Sequence, residues 1–382
     1  MLKLLFVHDF PVEFNKGNYY STGFSYNIWE RYLSVFDEMI ISSRFKNIYN
    51  PKNKRRSDGK NVKFRPITSY KSPQSLLKNH KDIIEKLTLA IKESDGILIR
   101  VPSVIGFIAT QICKKLNKKY MVEVVGAAYD AFWYHGSIIG KILASPMEIL
   151  QKEAVRHATV AIYVTQSYLS NKYPCKGKEF TGISNVQNIT KVSKDLSINK
   201  NLRVGLIGST FVDYKGHTTA IKAASVLKSK ELPIKLEFVG EGPSPKFSNM
   251  AKEYGLENDV KFKGKIYEKE KLREWFSTLD IYIQPSLTEG HCRSIVEAIS
   301  CGVPTLGSSV GGNSDSLDNS FLFKPKDYKA LATLIERLYI NKSFREENIR
   351  KNQNKISVYD DEQLQLRRKE ALIYYKNKII NN

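Results

Sequence analysis

The sequence has few cysteines and no long apolar run. Its 382 residues include four cysteines, whose spacing fits neither a zinc site nor a disulfide framework. No stretch reaches the roughly eighteen apolar residues that a transmembrane helix needs. The apolar residues at the start, Leu2 and Leu4 to Val7, are too few for a signal peptide and lack a small-residue cleavage site. They predict a first strand, and a protein of the reducing cytoplasm is expected.

Acidic residues are scarce relative to basic ones, with 39 against 60, which gives a net charge of +21. The excess is densest between positions 52 and 71, where Asp58 alone opposes the basic side chains. A solvated loop and attraction to an anionic membrane surface are both open, the latter worth about 1 kcal/mol per basic residue. Nucleic acid is the weakest alternative, because no zinc-finger spacing or RNA-binding signature accompanies the charge. The basic residues are Lys52, Lys54, Arg55, Arg56, Lys60, Lys63, Arg65 and Lys71.

The length predicts two domains, since single cores rarely grow this large. Apolar runs typical of strands alternate with helical patterns in both halves, which predicts an α/β fold with parallel sheets. No internal repeat or low-complexity tract interrupts this alternation. A polar stretch over 188–201 is interpreted as a linker between a first domain (1–187) and a second (202–358). The remaining residues, 359–382, predict a final helix that returns to the first domain.

The most informative stretch runs from Ile281 to Gly312 and predicts a strand, a loop, a helix and a second strand. Its loop carries Glu289 and Gly290, and its helix begins near Arg293 and contains Glu297. Ligands of open α/β sheets bind at the carboxyl ends of the strands, so the two carboxylates are placed to reach different parts of one elongated ligand. Free N–H groups at the helix start suit a phosphate. The alternative is a helix-dipole contact and a solvated surface glutamate.

Two further loops precede predicted helices. Thr22 and Gly23 stand where a helix is predicted after the first strand, and Lys215 with Gly216 stands before a helix near Thr218. Such positions bring backbone N–H groups or a lysine close to phosphate. The alternatives are a plain helix cap followed by a permissive glycine, and a solvated lysine.

The aromatic segment 126–136 follows another predicted strand and is a candidate lining for a ligand site. Its titratable groups are Asp130 and His135. Ordinary packing is the alternative for its aromatic side chains.

The pattern E-GHCRSIV-E-AISCGVP, preceded by PSLTEG, resembles the signature of the retaining GT-B glycosyltransferases of family 4. The resemblance is strongest from Arg203 to Leu338. It implies two Rossmann-like domains that face a central cleft, and a nucleotide diphosphate-sugar as donor. It also implies that no metal or other cofactor is needed, and the sequence offers no D-x-D-type site at a strand end.

The resemblance also assigns roles to residues. Glu297 is expected to hold the ribose hydroxyls, Glu289 the donor sugar, and the backbone at Lys265 and Ile266 the base. Lys215 is expected to stabilise the leaving diphosphate. The implied donor-binding set is Thr22, Gly23, Ser209, Lys215, Gly216, Lys265, Ile266, Glu289, Gly290, His291, Arg293, Ser294, Ile295 and Glu297.

The sequence departs from the family pattern at two places. Ser209 or Thr210 stands where many members carry an arginine, which removes one expected diphosphate contact. Val125 and Gly126 stand where some members carry a histidine, so that role cannot be transferred. Asp130 and His135, in the aromatic segment expected to line the acceptor site, are the candidates to assist catalysis in its place. The expected reaction is retaining transfer of a sugar to a glycan or lipid-linked acceptor in bacterial surface polysaccharide synthesis. A nucleotide-sugar 2-epimerase and a non-catalytic partner subunit are the alternatives.

Overall fold

The computed structural model describes residues 1–47, 54–70, 72–134, 136–186, 192, 194–198 and 201–381. Within these residues the strands form two separate sheets. Helices cover both faces of each sheet, as the near-continuous apolar runs of the strands require.

The first sheet has a parallel core with the strand order β5-β3-β1-β6-β7-β8-β9. Side chains such as Leu5, Ile99 and Val122 are fully buried in it. Its described strands are β1 Lys3–Asn15, β2 Asn18–Ser21, β3 Glu38–Asn47, β4 Arg55–Arg56, β5 Val62–Phe64, β6 Gly96–Val101, β7 Met121–Val124, β8 Val160–Tyr163 and β9 Lys178–Phe180.

The second sheet is parallel throughout and has the order β12-β11-β10-β13-β14-β15. This is the doubly wound order of dinucleotide-binding folds, in which the direction of winding reverses between the first and fourth strands. The predicted fold class, two Rossmann-like α/β domains, is confirmed. The strands are β10 Leu202–Ile207, β11 Ile234–Val239, β12 Val260–Gly264, β13 Ile281–Gln284, β14 Thr305–Ser308 and β15 Leu322–Phe323.

The helices follow the strands in both halves. The stretch 72–93 forms two helices that meet at Asn79. Among the described residues no helix is long and apolar enough to cross a membrane. The helices are α1 Glu30–Leu33, α2 Pro73–Lys78, α3 His80–Lys92, α4 Val104–Lys115, α5 Ala128–Trp133, α6 Ile138–Arg156, α7 Tyr168–Lys172, α8 His217–Ser229, α9 Pro245–Glu253, α10 Lys269–Ser277, α11 Arg293–Ser300, α12 Asn313–Ser316, α13 Tyr328–Ile340, α14 Lys342–Ile356 and α15 Asp361–Ile380.

The region after the first strand differs from the prediction. Strand β1 does not end near His8 but continues to Asn15 and pairs antiparallel with β2. Lys16 and Gly17, both with positive φ, form the two-residue turn, as type I′ hairpins require. The helix predicted near Phe24 is a 3₁₀ turn, Tyr26–Ile28, followed by the four-residue α1. Thr22 and Gly23 therefore lie in a loop and do not begin a helix.

The basic stretch 52–71 contributes two strands to the first sheet. Lys52 and Lys71 lie outside the described residues. Strand β4 pairs with β2, and β5 pairs with β3. Four of its cations pair with carboxylates of this chain, so less of the charge is free than the sequence suggested. The pairs are Lys54–Glu13, Arg56–Asp58, Lys63–Glu38 and Arg65–Glu93.

Helix α15 packs on the first sheet. Ala371, Leu372 and Tyr375 are buried in the same core as Leu4 and Phe6. The Tyr375 hydroxyl accepts from the backbone N–H of Ile97 at 2.8 Å and donates to the Lys119 carbonyl oxygen at 3.0 Å. The helix α15 thus packs on the domain that contains β1. Half of the predicted linker, seven of its fourteen residues, lies outside the described residues. Its residues 192 and 196 bond to the second half of the chain.

Candidate active site

The two sheets enclose a cleft of about 970 Å³ between them. Residues of both halves line it. The first-domain wall includes Thr22, Gly23, Arg31, Lys54, Arg55, Arg100 and Asn185, and the second-domain wall includes Lys265, Ile266, Lys269, Arg273, His291, Arg293 and Glu297. The winding of each sheet reverses beside this cleft, between β1 and β6 and between β10 and β13, which is where α/β folds bind ligands.

Lys215 and Glu289 form an ion pair at the second of these points. The Lys215 ammonium lies 2.8 Å from a Glu289 carboxylate oxygen, and the Ser286 hydroxyl donates to the same oxygen at 2.7 Å. Burial alone would lower the pKa of Lys215, but the Glu289 carboxylate outweighs it and raises that pKa above its ordinary value. The ammonium charge is therefore retained at neutral pH although the side chain is largely buried.

The loop that carries Lys215 is fixed by Gly216. This residue has a φ of +82°, and a Cβ atom there would lie 1.9 Å from the Pro285 carbonyl oxygen. Only glycine therefore lets the backbone pass this close to the loop after β13. Helix α8 begins at the next residue, His217.

Glu297 faces the cleft from the second turn of α11, which begins at Arg293 as predicted. Burial raises the pKa of its carboxyl, while Arg293 and Lys269 act in the opposite direction. Among the described residues no hydrogen-bond donor or cation lies within bonding distance of this carboxylate. Its oxygens are thus available to accept hydrogen bonds from a ligand.

His291 lies at the base of the cleft. The Ser184 hydroxyl and its Nδ1 atom are 3.1 Å apart, which joins the two halves of the chain. Burial, with a contribution from Arg293, lowers the pKa of His291 to about 3, so the ring is neutral. Its Nε2 atom is buried and has no partner in the described part of the chain.

The structure brings together seven of the predicted donor-site residues in the cleft. Thr22 and Gly23 line one wall, and the opposite wall carries Lys265, Ile266, His291, Arg293 and Glu297.

The other predicted donor-site residues, all of them described, lie outside this lining. The Lys215–Glu289 pair and Gly216 form a separate group beside it. The Ser209 hydroxyl accepts from the Phe211 N–H, and the Ser294 hydroxyl donates to Gln284. Ile295 is buried in the core, and Gly290 packs on the first domain, where a Cβ atom would lie 2.4 Å from the Val125 carbonyl oxygen.

Asp130 bridges the two halves of the chain. Its carboxylate accepts from the Thr288 hydroxyl at 2.9 Å, one residue before Glu289. The side chain therefore contacts the loop that carries Glu289, although it does not line the cleft itself. His135, the other candidate in the aromatic segment, lies outside the described residues. The described residues contain no group of three metal-ligating side chains.

Sequence reasoning missed two arginines of the first-domain wall, Arg31 and Arg100. Arg100 lies near the end of β6 and pairs with Glu123 of β7 at 3.0 Å. The sequence contained a signal for Arg100 and Glu123, because each is a charged residue inside a strand that is otherwise buried and apolar. Such residues are rarely buried without a partner. Arg100 and Glu123 were overlooked, since the strands were predicted from their apolar residues alone.

Comparison with known proteins is consistent with this geometry. The family model "Glycosyl transferases group 1" matches residues 188–355. Protein CapJ of Staphylococcus aureus is 62% identical over 381 residues, which cover 100% of this chain and 97% of CapJ. The structure of sucrose-phosphate synthase from Thermosynechococcus elongatus aligns with a TM-score of 0.69 at 16% identity over 100% of both chains. Anabaena HepE in complex with UDP and glucose aligns at 0.62 and 16% identity, over 100% of this chain and 98% of HepE.

Proposed function

The chain belongs to the glycosyl transferases group 1 and is a GT-B glycosyltransferase, and from this premise we propose its reaction. It transfers a sugar from a nucleotide diphosphate-sugar to a glycan or lipid-linked acceptor, with retention at the anomeric carbon. The setting we propose is bacterial surface polysaccharide synthesis, and the 62% identity to a Staphylococcus aureus protein supports a bacterial setting.

The observation that carries the proposed donor site is the carboxylate of Glu297. It faces the cleft with no partner among the described residues, and burial disfavours its charge. A carboxylate accepts hydrogen bonds and donates none, so vicinal hydroxyl groups of a nucleotide ribose are suitable ligands. The ribose would then lie next to Lys265 and Ile266, whose backbone we propose to meet the base.

We propose that Lys215 stabilises the charge that develops on the diphosphate as it leaves. Electrostatic stabilisation of this kind depends on a donor that is already oriented before the reaction. Glu289 holds Lys215 in such an orientation and is itself held by the Ser286 hydroxyl, which donates to the same carboxylate oxygen. The Glu289 carboxylate is then the group closest to the donor sugar. Asp130 accepts a hydrogen bond from Thr288, the residue that precedes Glu289.

A membrane-bound acceptor would require contact with lipid, and helix α6 offers a surface for it. Ile138, Ile142 and Ile149 recur at spacings of four and seven residues and are 78%, 69% and 62% exposed. They share one side of the helix, while Ala144 and Ala154 are buried on another. Basic residues on the same helix, Lys141, Lys152 and Arg156, are exposed and suit anionic headgroups.

The experiment that tests the reaction is incubation with a panel of UDP- and GDP-sugars, followed by measurement of released nucleotide diphosphate. We expect one donor to support release that increases when extracts containing lipid-linked glycans are added. Proton NMR of the product tests retention of the anomeric configuration. No release with any donor, from folded protein supplied with such extracts, would contradict the proposal.

A further inference from the structure

Three arginines surround one buried carboxylate in the first domain, next to the cleft. The arginine cluster, as we name it, consists of Arg31, Arg100 and Arg368 around Glu123. Arg100 donates to Glu123 at 3.0 Å. Arg31 and Arg368 donate to the Asn185 side-chain oxygen at 2.9 and 3.3 Å, and the Asn185 amide lies 3.4 Å from Glu123 as a donor.

The charges of the arginine cluster do not balance. Burial favours the neutral acid of Glu123, yet Arg100, Arg31 and Arg368 together hold its pKa down at about 2. Burial, and next the charge of Arg31, lowers the pKa of Arg368 to about 10. At neutral pH three guanidinium groups therefore share one carboxylate, and like charges held in a desolvated site repel each other.

Two members of the cluster, Arg31 and Arg100, reach the cleft wall. Their Nε atoms are buried and have no acceptor in the described residues. Arg55 lines the same wall, is exposed, and has no carboxylate within ion-pair distance in the described part of the chain. The first-domain wall therefore has an excess of hydrogen-bond donors and of positive charge.

We propose that the arginine cluster binds an anionic group, a phosphate or a carboxylate, of the acceptor. Guanidinium groups only donate hydrogen bonds, and they match the two oxygens of a phosphate or carboxylate with paired N–H groups. A neutral sugar would leave the repulsion among the arginines uncompensated. The inference rests on the proposed function, in which the nucleotide occupies the opposite wall beside Glu297, so an anion on this wall belongs to the second substrate.

The test uses small probes with the nucleotide site already filled. Wild-type protein is saturated with UDP or GDP, whichever binds, and is titrated with glucose 1-phosphate, glucuronate and methyl glucoside. We expect one or both charged probes to bind and methyl glucoside to bind at least tenfold more weakly. The inference is wrong if methyl glucoside binds as tightly as the charged probes, or if neither charged probe binds.

A substitution identifies the wall that is responsible. Arg31→Gln should weaken the charged probe by about tenfold or more, the effect of losing a charge-assisted hydrogen bond, and should leave nucleotide affinity unchanged. Arg350→Gln removes one exposed charge away from the cleft and should change neither. If Arg31→Gln does not fold, Arg55→Gln, at an exposed position of the same wall, is tested in its place. We expect a smaller loss of affinity for the charged probe from that variant.

The outcomes separate this inference from the proposed function. If Arg31→Gln weakens the nucleotide as much as the charged probe, the cluster serves the donor diphosphate and the inference is wrong. If each folded variant binds the probe as wild type does, the inference is wrong as well. Failure of wild-type protein to bind any nucleotide contradicts the proposed function itself.

Discussion

The ammonium of Lys215 and the carboxylate of Glu289 lie 2.8 Å apart, although 74 residues separate them in the sequence. They come from loops after β10 and β13, which are neighbours in the second sheet. A diphosphate that approaches Lys215 would share the lysine with Glu289. The Lys215 ammonium is therefore held in place by the Glu289 carboxylate before a substrate arrives.

Lys215→Ala should lower kcat by on the order of 10²–10³, because the role we propose for Lys215 is to stabilise developing charge on the diphosphate. It should also weaken the donor. The measurement is steady-state release of nucleotide diphosphate, with circular dichroism to establish folding. Lys228→Ala is the matched control, since Lys228 forms an ion pair of 2.7 Å with Asp259 on the surface. Wild-type kinetics in a folded Lys215→Ala protein would remove Lys215 from the site.

Glu297→Gln should mainly raise the donor KM, with kcat little changed. The ribose hydroxyl groups that we propose as ligands of Glu297 keep the same contacts throughout the reaction. The pKa of Glu297 is raised by burial, so its charged form is lost at a higher pH than that of an exposed glutamate. The wild-type donor KM should therefore rise as the pH falls through this raised pKa, whereas the KM of Glu297→Gln should not show that step. Parallel pH profiles of the two proteins would contradict this role.

Membrane contact is tested by comparing two sets of substitutions. Ile138, Ile142 and Ile149 changed together to Ser should abolish most sedimentation with anionic liposomes, because these exposed side chains supply the apolar contact. Lys54, Arg55 and Arg56 changed together to Ser should weaken only the salt-sensitive part at low salt, since Lys54 and Arg56 already have carboxylate partners. Unchanged sedimentation of the isoleucine variant would exclude α6 as the contact.

Gly216→Ala separates steric overlap from backbone strain. Gly255 has a similar φ, +64°, with nothing within 4 Å of an added Cβ, whereas at Gly216 the Pro285 carbonyl oxygen is 1.9 Å away. Gly255→Ala should cost about 1–2 kcal/mol, the cost of the left-handed conformation. Gly216→Ala should cost more in urea unfolding and should also reduce donor turnover, because Lys215 would shift. Equal costs for the two variants would contradict the close approach.

The sequence revealed the second domain better than the first for a physical reason. The stretch from strand β13 to Gly302 contains turn and cap residues at fixed spacings, so local chemistry placed Glu289 and Glu297 at the right edge. In the first domain, the hairpin at Lys16 and Gly17 was missed, although positive-φ turns of this kind have a local signal. The arginine cluster depends on contacts across long separations, as between Arg31 and Asn185, and spacing along the sequence does not predict these.

Glu289→Gln should reduce kcat more than it changes the donor KM. The substitution keeps an oxygen that can accept from Lys215 and from Ser286, so the loop geometry is largely preserved. It removes the negative charge that we propose lies closest to the reacting sugar, and an interaction that matters mainly in the transition state affects kcat rather than KM. It also leaves the largely buried ammonium without a counter-charge, so some loss of stability is expected.

Kinetics with the true donor measure the loss of kcat, with Glu336→Gln, at a surface ion pair with Lys230, as the control. Urea unfolding measures the loss of stability. If Glu289→Gln loses stability but keeps its kcat, the pair only holds the loops together; if kcat falls in a protein of wild-type stability, Glu289 acts in the reaction.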